Sequence, residues 1–420
     1  MEPGRASEEK RSSVMVVGGG IAGITAALEL SQAGLEVALV EKSPFFGGQA
    51  ASFVCKATDT CQKCGSCRVE QSLRDLFAAP GLTFYAHTEM VDCRRENGML
   101  QLTLKSQPRV VDPNRCLNCG LCLEECPSPG GILSAASAEN HPRFAVNPAA
   151  CLYYHDGSCR RCQEICPTQA IDLTRTETVN PFAASCLILA TGYQPAQPAC
   201  RAVYASGPSP AIITGRELEE MMQLGGPLLR PSDGRRVRRL AFIQCVGSRD
   251  LDHPYCSRVC CAYGLRLARL IRFRFPGCKV TTFYMDLQNV GPDPKNFEEE
   301  ARREVELIRA LPGDLAATAD GSLKLRFLDE VSGRARARVV DLLVLAVGIA
   351  PGPDNVKLAE MLGLELTPDG FFKDGLNGNR VKSPGIFPTG TVTGPQNILE
   401  CIAQATRSVR QVRQYLEERT

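Results

Sequence analysis

Short apolar runs that end at glycine-rich turns and give way to helical periodicity recur along this chain, and the alternation predicts an α/β protein. Val14 to Val17 reads as a strand, Ile24 to Leu30 carries apolar residues at helical spacing up to a stop at Gly34, and a second strand ends at Glu41. Leu100 to Leu104 and Cys186 to Ala190 read as further strands. RRLAFIQC, SRVCCAYGLRLARLIRF and KVTTFYMD predict a second strand-helix-strand unit, and RSVRQVRQYLEER has the spacing of a closing helix with one apolar face. No run approaches the ~18 apolar residues that would cross a bilayer, so no direct membrane insertion is expected.

The first unit carries chemistry in its turn. Gly18, Gly20 and Gly23 make the GxGxxG spacing, with Ile21 and Ala22 opening the helix. Gly18 permits the tight turn, Gly20 lets the backbone approach a pyrophosphate, and Gly23 allows the helix to pack closely on the strand. Glu41, followed by Lys42, stands where an acid would accept ribose hydroxyls. The bland alternative is an ordinary βαβ unit without ligand. FAD is favoured over NAD because Gly47 and Gly48 follow the acid, a pattern resembling the glutathione-reductase-like flavoproteins. CLILATGYQP, with Thr191 and Gly192, and GIFPTGTVTGPQNILECIAQA, with Gly390, Asn397 and Ile398, resemble the segments that complete the FAD domain there. That family usually has an acid after the second segment's glycine; here Thr391 stands in its place, and its hydroxyl still offers a hydrogen bond.

Twenty-one cysteines in 420 residues then change the picture. A disulfide scaffold would be short and secreted, and the chain opens on a polar tail instead of a cleavable leader, so metal binding in a reducing, cytoplasmic and anaerobic setting is expected. Cys116, Cys119, Cys122 and Cys126 follow the C-x2-C-x2-C-x3-C-P pattern of bacterial ferredoxins, and Cys151, Cys159, Cys162 and Cys166 form a second copy. The two-cluster swap assigns Cys116, Cys119, Cys122 and Cys166 to one 4Fe-4S centre and Cys126, Cys151, Cys159 and Cys162 to the other. Seven residues separate Cys151 from Cys159 where two are usual, which makes Cys151 the weakest of the eight assignments. The module, about residues 109–175, interrupts the FAD domain.

A third group, Cys245, Cys256, Cys260 and Cys261, occupies the turn where the second unit would carry a nucleotide-binding glycine loop. With one glycine in VGSRDLDHPY, NAD(P)H has no close backbone approach there. An iron-sulfur cluster is the expectation, zinc or buried filler the alternatives. Cys55, Cys61, Cys64 and Cys67 make a fourth group, for which a cluster, zinc or a ligand shared with a partner stay open. The remaining thiols, Cys93, Cys186, Cys200, Cys278 and Cys401, are expected to be structural. A net charge of +2 with interspersed signs, and no Trp, excludes a nucleic-acid platform.

Together VVGGGIAGITAALEL, the double ferredoxin motif, IQCVGSRD with PYCSRVCC, YMD and GPQNILECIAQA resemble the HdrA-like family, the flavin and iron-sulfur subunits of heterodisulfide reductases, from about Val14 to Leu416. The resemblance implies an α/β, thioredoxin-reductase-like two-dinucleotide-fold flavoprotein with an inserted bacterial-type two-cluster ferredoxin domain. It implies FAD, three 4Fe-4S clusters and a fourth if the Cys55 to Cys67 group binds one. The expected organisation is a tail (1–13), FAD-binding parts (14–108, 176–200 and 346–420), the insertion (109–175) and a second Rossmann-like domain (201–345). Longer relatives carry further terminal iron-sulfur domains, so the chain reads as a short form. Relatives commonly place a lysine five residues past the paired cysteines, approaching the flavin, where Arg266 stands here. No side chain stands out as a catalytic acid, base or nucleophile. The implied function is electron transfer, with bifurcation at the flavin as the sharper version. Expected partners are HdrB- and HdrC-like subunits, a hydrogenase, formate or NADH input module, and ferredoxin. The rival is a self-contained NAD(P)H-dependent flavoenzyme resembling the glutamate synthase small subunit.

Overall fold

The computed structural model describes residues 12–197, 209–223, 225–288, 294–330, 332–373 and 383–419. Ser12–Val17 lies parallel between Val37–Val40 and the long strand Thr178–Leu189, with Leu82–Tyr85 beyond Val37–Val40. Met99–Ser106 and Thr88–Glu96 extend the sheet antiparallel, and Ile386–Pro388 pairs parallel with the end of the long strand. The apolar runs are continuous because the sheet is covered on both faces. Val14, Val16 and Leu39 pack with Leu73, Leu76, Ala405, Val409 and Val412, while Met15, Val17 and Val40 pack with Leu100, Leu102, Leu104 and Phe372. The expected closing helix is the end of a single 20-residue helix, Ile398–Glu417, whose apolar face seals this core.

Ser106 and Thr178 are register partners in neighbouring strands. The chain between them therefore leaves and rejoins the sheet at one point, which lets a separate module grow there without breaking the strand pair. A bridge between Val111 and Ile171 closes its neck. Inside, the short helices Leu121–Glu124 and Arg161–Ile165 pack together beside the hairpin Ile132–Ser134 and Phe144–Val146, around Val110, Val146, Cys162 and Leu173.

The second sheet is parallel, in the order Ile212–Thr214, Leu342–Val347, Arg239–Val246, Lys279–Tyr284 and Glu306–Arg309. The helix Cys260–Arg274 packs on it through Leu267, Leu270 and Ile271, and an antiparallel sheet of Asp314–Ala317, Leu323–Asp329 and Arg334–Val340 adjoins it. Tyr193–Pro195 and Ile349–Pro351 pair where the chain crosses between the two sheets. The expected boundary at residues 200 and 201 lies outside the described residues. Among the described residues, no helix is long and apolar enough to cross a membrane.

One buried ion pair fastens the two halves. Lys56, after the first sheet's glycine turn, meets Glu219 of the helix Gly215–Gln223 at 2.5 Å, and the side chains are 2% and 0% exposed. Val54 N–H donates to the same carboxylate at 3.1 Å, and the Lys56 ammonium lies over the rings of Phe53 (5.0 Å) and Tyr263 (5.2 Å). Gln49 and Ser52 accept from Arg216 and Gln223 of the same helix. Glu219→Leu strands a buried ammonium and is expected to cost about 3–5 kcal/mol, whereas the double variant Lys56→Met, Glu219→Leu recovers most of it. The melting temperatures of the three proteins decide this, and a single variant as stable as wild type would show the pair to be dispensable.

Candidate functional site

The turn after Ser12–Val17 is built for close approach. Gly18 has φ +108°, and a Cβ there would collide with the backbone of Ala190 and Thr191; a Cβ on Gly23 would run into the Gly18 carbonyl. Gly47 N–H donates to Gly19 O at 2.7 Å, so the Gly47 and Gly48 turn lies against Gly19 and Gly20. Glu41 closes the turn by accepting Gly19 N–H and Ser43 N–H, each at 2.6 Å. Burial raises its pKa against the lowering effect of those two bonds and of Lys42. Lys42 itself pairs on the surface with Asp354 and Glu89. Ile21 and Ala22 are buried in the helix start, and a Cβ on Gly390 would meet Ala22, which brings the late segment onto the glycine turn. Thr391 Oγ1 lies beside Gly192, and Gln404 accepts Gly390 N–H at 2.8 Å.

Asn397 caps Ile398–Glu417 in a reciprocal box with Glu400, accepting Glu400 N–H at 3.0 Å while its own N–H donates to Glu400 Oε2 at 2.9 Å. The N–H groups of Ile398 and Leu399 thus stay turned outward at the positive end of a long helix. Residues flanking two of the thiol groups reach that point. Ile398 packs against Gly65, next to Cys64, and Arg258, two residues past Cys256, bonds Pro395 O (3.2 Å) and Glu400 (2.7 Å).

In the inserted module, Cys126, Cys151, Cys159 and Cys162 line one pocket with Gly131 and Ile132. These are the four thiols that the swap pairs. The helical turn Leu152–Asp156 takes up the extra residues after Cys151, so both of its flanking cysteines reach the pocket. Burial pushes Cys162 up to about 12, with further contributions from Cys151, Cys122, Cys126 and Cys159. Cys122 is pushed up to about 11 by burial and then by Cys116 and Cys119. Asn118 N–H points at Cys116 Sγ (3.4 Å) and Ala170 N–H at Cys166 Sγ (3.3 Å), the backbone-to-sulfur contacts that anionic cluster ligands favour.

The third group owes its geometry to a bulge. The register with Leu342–Val347 shifts between Ile243 and Val246, and Cys245 adopts φ +60°, a left-handed conformation that re-aims its side chain. The neighbouring side chains of Cys260 and Cys261 hold Cys245 well below the ordinary thiol range. Cys256 receives Arg258 N–H at 3.3 Å and shares with Cys245 the field of Arg249, which is ion-paired to Asp286. The loop VGSRDLDHPY is filled by its own side chains: Ser248 bonds Tyr255 O (2.9 Å) and Ser257, and Ser257 accepts Ile349 N–H (2.9 Å). The helix start that a nucleotide would need is thus occupied by cysteines. Among the described residues, no three His, Cys, Asp or Glu side chains are closed around a single ion; a cubane needs its thiolates spread around a larger core.

Cys55, Cys61 and Cys67 are exposed and Cys64 is half-buried. For Cys64 burial is the largest effect and raises its pKa, but hydrogen bonds from Ser66 and from Lys56 N–H, with the Lys56 charge, outweigh it and bring the thiol down. Arg266 stands against this loop, donating to Gln62 O at 2.9 Å. Of the structural thiols, Cys186 and Cys401 are pushed to about 12, and Cys93 and Cys278 to about 11, by burial; Cys200 lies outside the described residues.

The description FAD dependent oxidoreductase matches residues 13–79, and that of a 4Fe-4S binding domain matches residues 109–128. The iron-sulfur HdrA subunit of the CoB–CoM heterodisulfide reductase of Methanocaldococcus jannaschii is 34% identical over 94% of this chain and 63% of its own length. A second such subunit, from Methanopyrus kandleri, is 32% identical over 93% of this chain and 62% of its own. Across most of its length the chain is homologous to these heterodisulfide reductase A subunits. This HdrA homologue spans about three fifths of the length of those relatives, 62% and 63%. Thioredoxin reductase of T. acidophilum, 12% identical with a TM-score of 0.55 over 98% of this chain, shares the fold. The HdrA sequence signals lead to the thiols and glycines but miss Lys56, Glu219, Arg249 and Arg258, charges whose partners are distant in the chain.

Two substitutions test the geometry. Cys151→Ala is expected to remove about four irons per chain from the anaerobically reconstituted protein, while Cys93→Ala removes none; unchanged iron in the first would assign the fourth ligand elsewhere. Glu41→Ala takes away a half-buried carboxylate acceptor and is expected to weaken FAD by about ten- to a hundredfold, read by flavin fluorescence on dilution.

Proposed function

We propose that this HdrA homologue is the flavin and iron-sulfur electron-transfer component of a heterodisulfide-reductase-like complex. In that reading it passes electrons from a hydrogenase, formate or NADH module toward HdrB- and HdrC-like subunits or ferredoxin. The observation that carries it is that residues flanking two of the thiol groups, Gly65 on one side and Arg258 on the other, both contact the start of Ile398–Glu417. The names of the relatives link their complexes to the CoB–CoM heterodisulfide, to hydrogen and to ferredoxin.

Bound FAD supplies the exchange between electron pairs and the single electrons that 4Fe-4S clusters carry. The chain's own residues hold and bias it. Gly20 keeps a side chain out of the pyrophosphate path, Gly18, Gly23, Gly47 and Gly48 let the turn close against its neighbours, and the helix N-terminus at Ile21 favours the pyrophosphate charge. Glu41 takes the ribose, Thr391 and Gly192 flank the ribityl chain, and the Ile398 and Leu399 N–H groups favour negative charge at the ring edge. Cys116, Cys119, Cys122 and Cys166, then Cys126, Cys151, Cys159 and Cys162, and then Cys245, Cys256, Cys260 and Cys261 are the ligand sets for three clusters. Cys55, Cys61, Cys64 and Cys67 are the set for a fourth. Pairwise splitting of electrons at the flavin is the finer form of this reading.

Metal, sulfide and flavin analysis of anaerobic protein followed by NADH and NADPH titration tests the proposal. About one FAD and at least twelve irons, with no flavin bleaching by either nucleotide alone, is the expected result. Rapid stoichiometric bleaching, or zinc in place of iron at Cys245 to Cys261, would replace it with a self-sufficient NAD(P)H flavoenzyme.

A further inference from the structure

Besides the exposed Lys63 within it, three cations among the described residues stand around the Cys61 to Cys67 loop, and two of them are neutralised. Lys56 is paired with Glu219, and Arg269, whose Nη1 donates to Gln62 Oε1 at 2.8 Å, is paired with Glu300 (3.0 Å) and Glu304 (2.8 Å). Arg266 has no carboxylate partner among the described residues. One turn before Arg269 on the helix Cys260–Arg274, it is half-buried, donates Nε–H to Gln62 O at 2.9 Å and stacks its guanidinium over Phe297 at 5.4 Å. Burial acts against its charge, and the groups that favour the charge are the sulfurs of Cys64 and Cys61. A half-buried cation without a counter-ion is costly unless something anionic is set beside it. Thiolates wrapped on a metal core supply such an anion.

We propose that Arg266 is the counter-charge of a thiolate-ligated iron-sulfur centre on Cys61, Cys64 and Cys67, a positioning residue that raises the reduction potential of that centre. This rests on the reading of the loop as a cluster site. Arg266 also lies five residues past Cys261 on the same helix, about 7–8 Å along its axis, with its guanidinium on the loop side at Gln62. A fixed positive charge there favours an electron on the loop side. The hydrogen bond to Gln62 and the ring of Phe297 hold the guanidinium beside the loop.

Electron paramagnetic resonance during redox titration of the whole reconstituted chain tests this, with Arg266→Gln, Arg266→Lys and the double variant Cys61→Ala, Cys64→Ala. The double variant identifies the loop's signal. Arg266→Gln is expected to keep the iron and the g-values but lower the reduced-to-oxidised ratio at fixed potential about tenfold, ~59 mV for one electron, with Arg266→Lys near wild type. Arg266→Met, which keeps the packing on Phe297, gives the same comparison if the Gln variant does not fold. An unmoved midpoint with iron retained, or iron lost equally from the Gln and Lys variants, would overturn the inference. If the double cysteine variant keeps all iron and every signal, the loop is no cluster site and the inference falls with that reading, without reference to any Arg266 variant.

Discussion

Burying Lys56 against Glu219 places an ammonium and a carboxylate at the join of two sheets, where either alone would be strongly unfavourable. The pair therefore tolerates one relative placement of the glycine-turn half and the second parallel sheet. That placement lays the loop from Cys55 to Cys67 against the helix Cys260–Arg274 and brings Gly65 onto Ile398. Two of the four thiol groups and the flavin segments depend on each other through this contact. The ferredoxin module, which carries the other two, is independent of it, because it grows from the register-matched ends of one strand pair and has its own small core.

The second sheet shows how a nucleotide fold changes its cargo. A parallel βαβ unit normally opens its first turn with glycines so that backbone amides meet a phosphate. Here a bulge turns Cys245 toward Cys260 and Cys261, and Ser248, Tyr255 and Ser257 fill the loop by bonding one another and Ile349. The helix dipole that would favour a phosphate is kept, and the paired cysteines Cys260 and Cys261 stand at its start instead. Arg249 and Asp286 add a fixed charge pair beside them.

Much of the candidate site is legible in the chain. GxGxxG, Glu41 and the ferredoxin spacings are local patterns, each dictated by what a short backbone segment must do around a ligand. Cys151 is the weak member by spacing, and only the helical turn Leu152–Asp156 reveals how seven intervening residues still bring it to the pocket of Cys159 and Cys162. The resemblance marks Arg266 by its distance to the paired cysteines, and its contacts with Gln62 and Phe297 are visible only in the structure.

Strand and helix order, the FAD-type turn, the two ferredoxin repeats and the loss of the second glycine loop follow from the order of residues alone, because periodicity and ligand spacing act over a few positions. Three-dimensional packing was needed for the pairing of Lys56 with Glu219, the grip of Arg258 on Glu400, the reach of Arg266 to the Cys61 loop and the left-handed turn at Cys245. Each of these joins residues far apart in the chain or holds a backbone strain that only packing sustains, and charge in a buried interface is set by its neighbours in space, not by its neighbours in sequence.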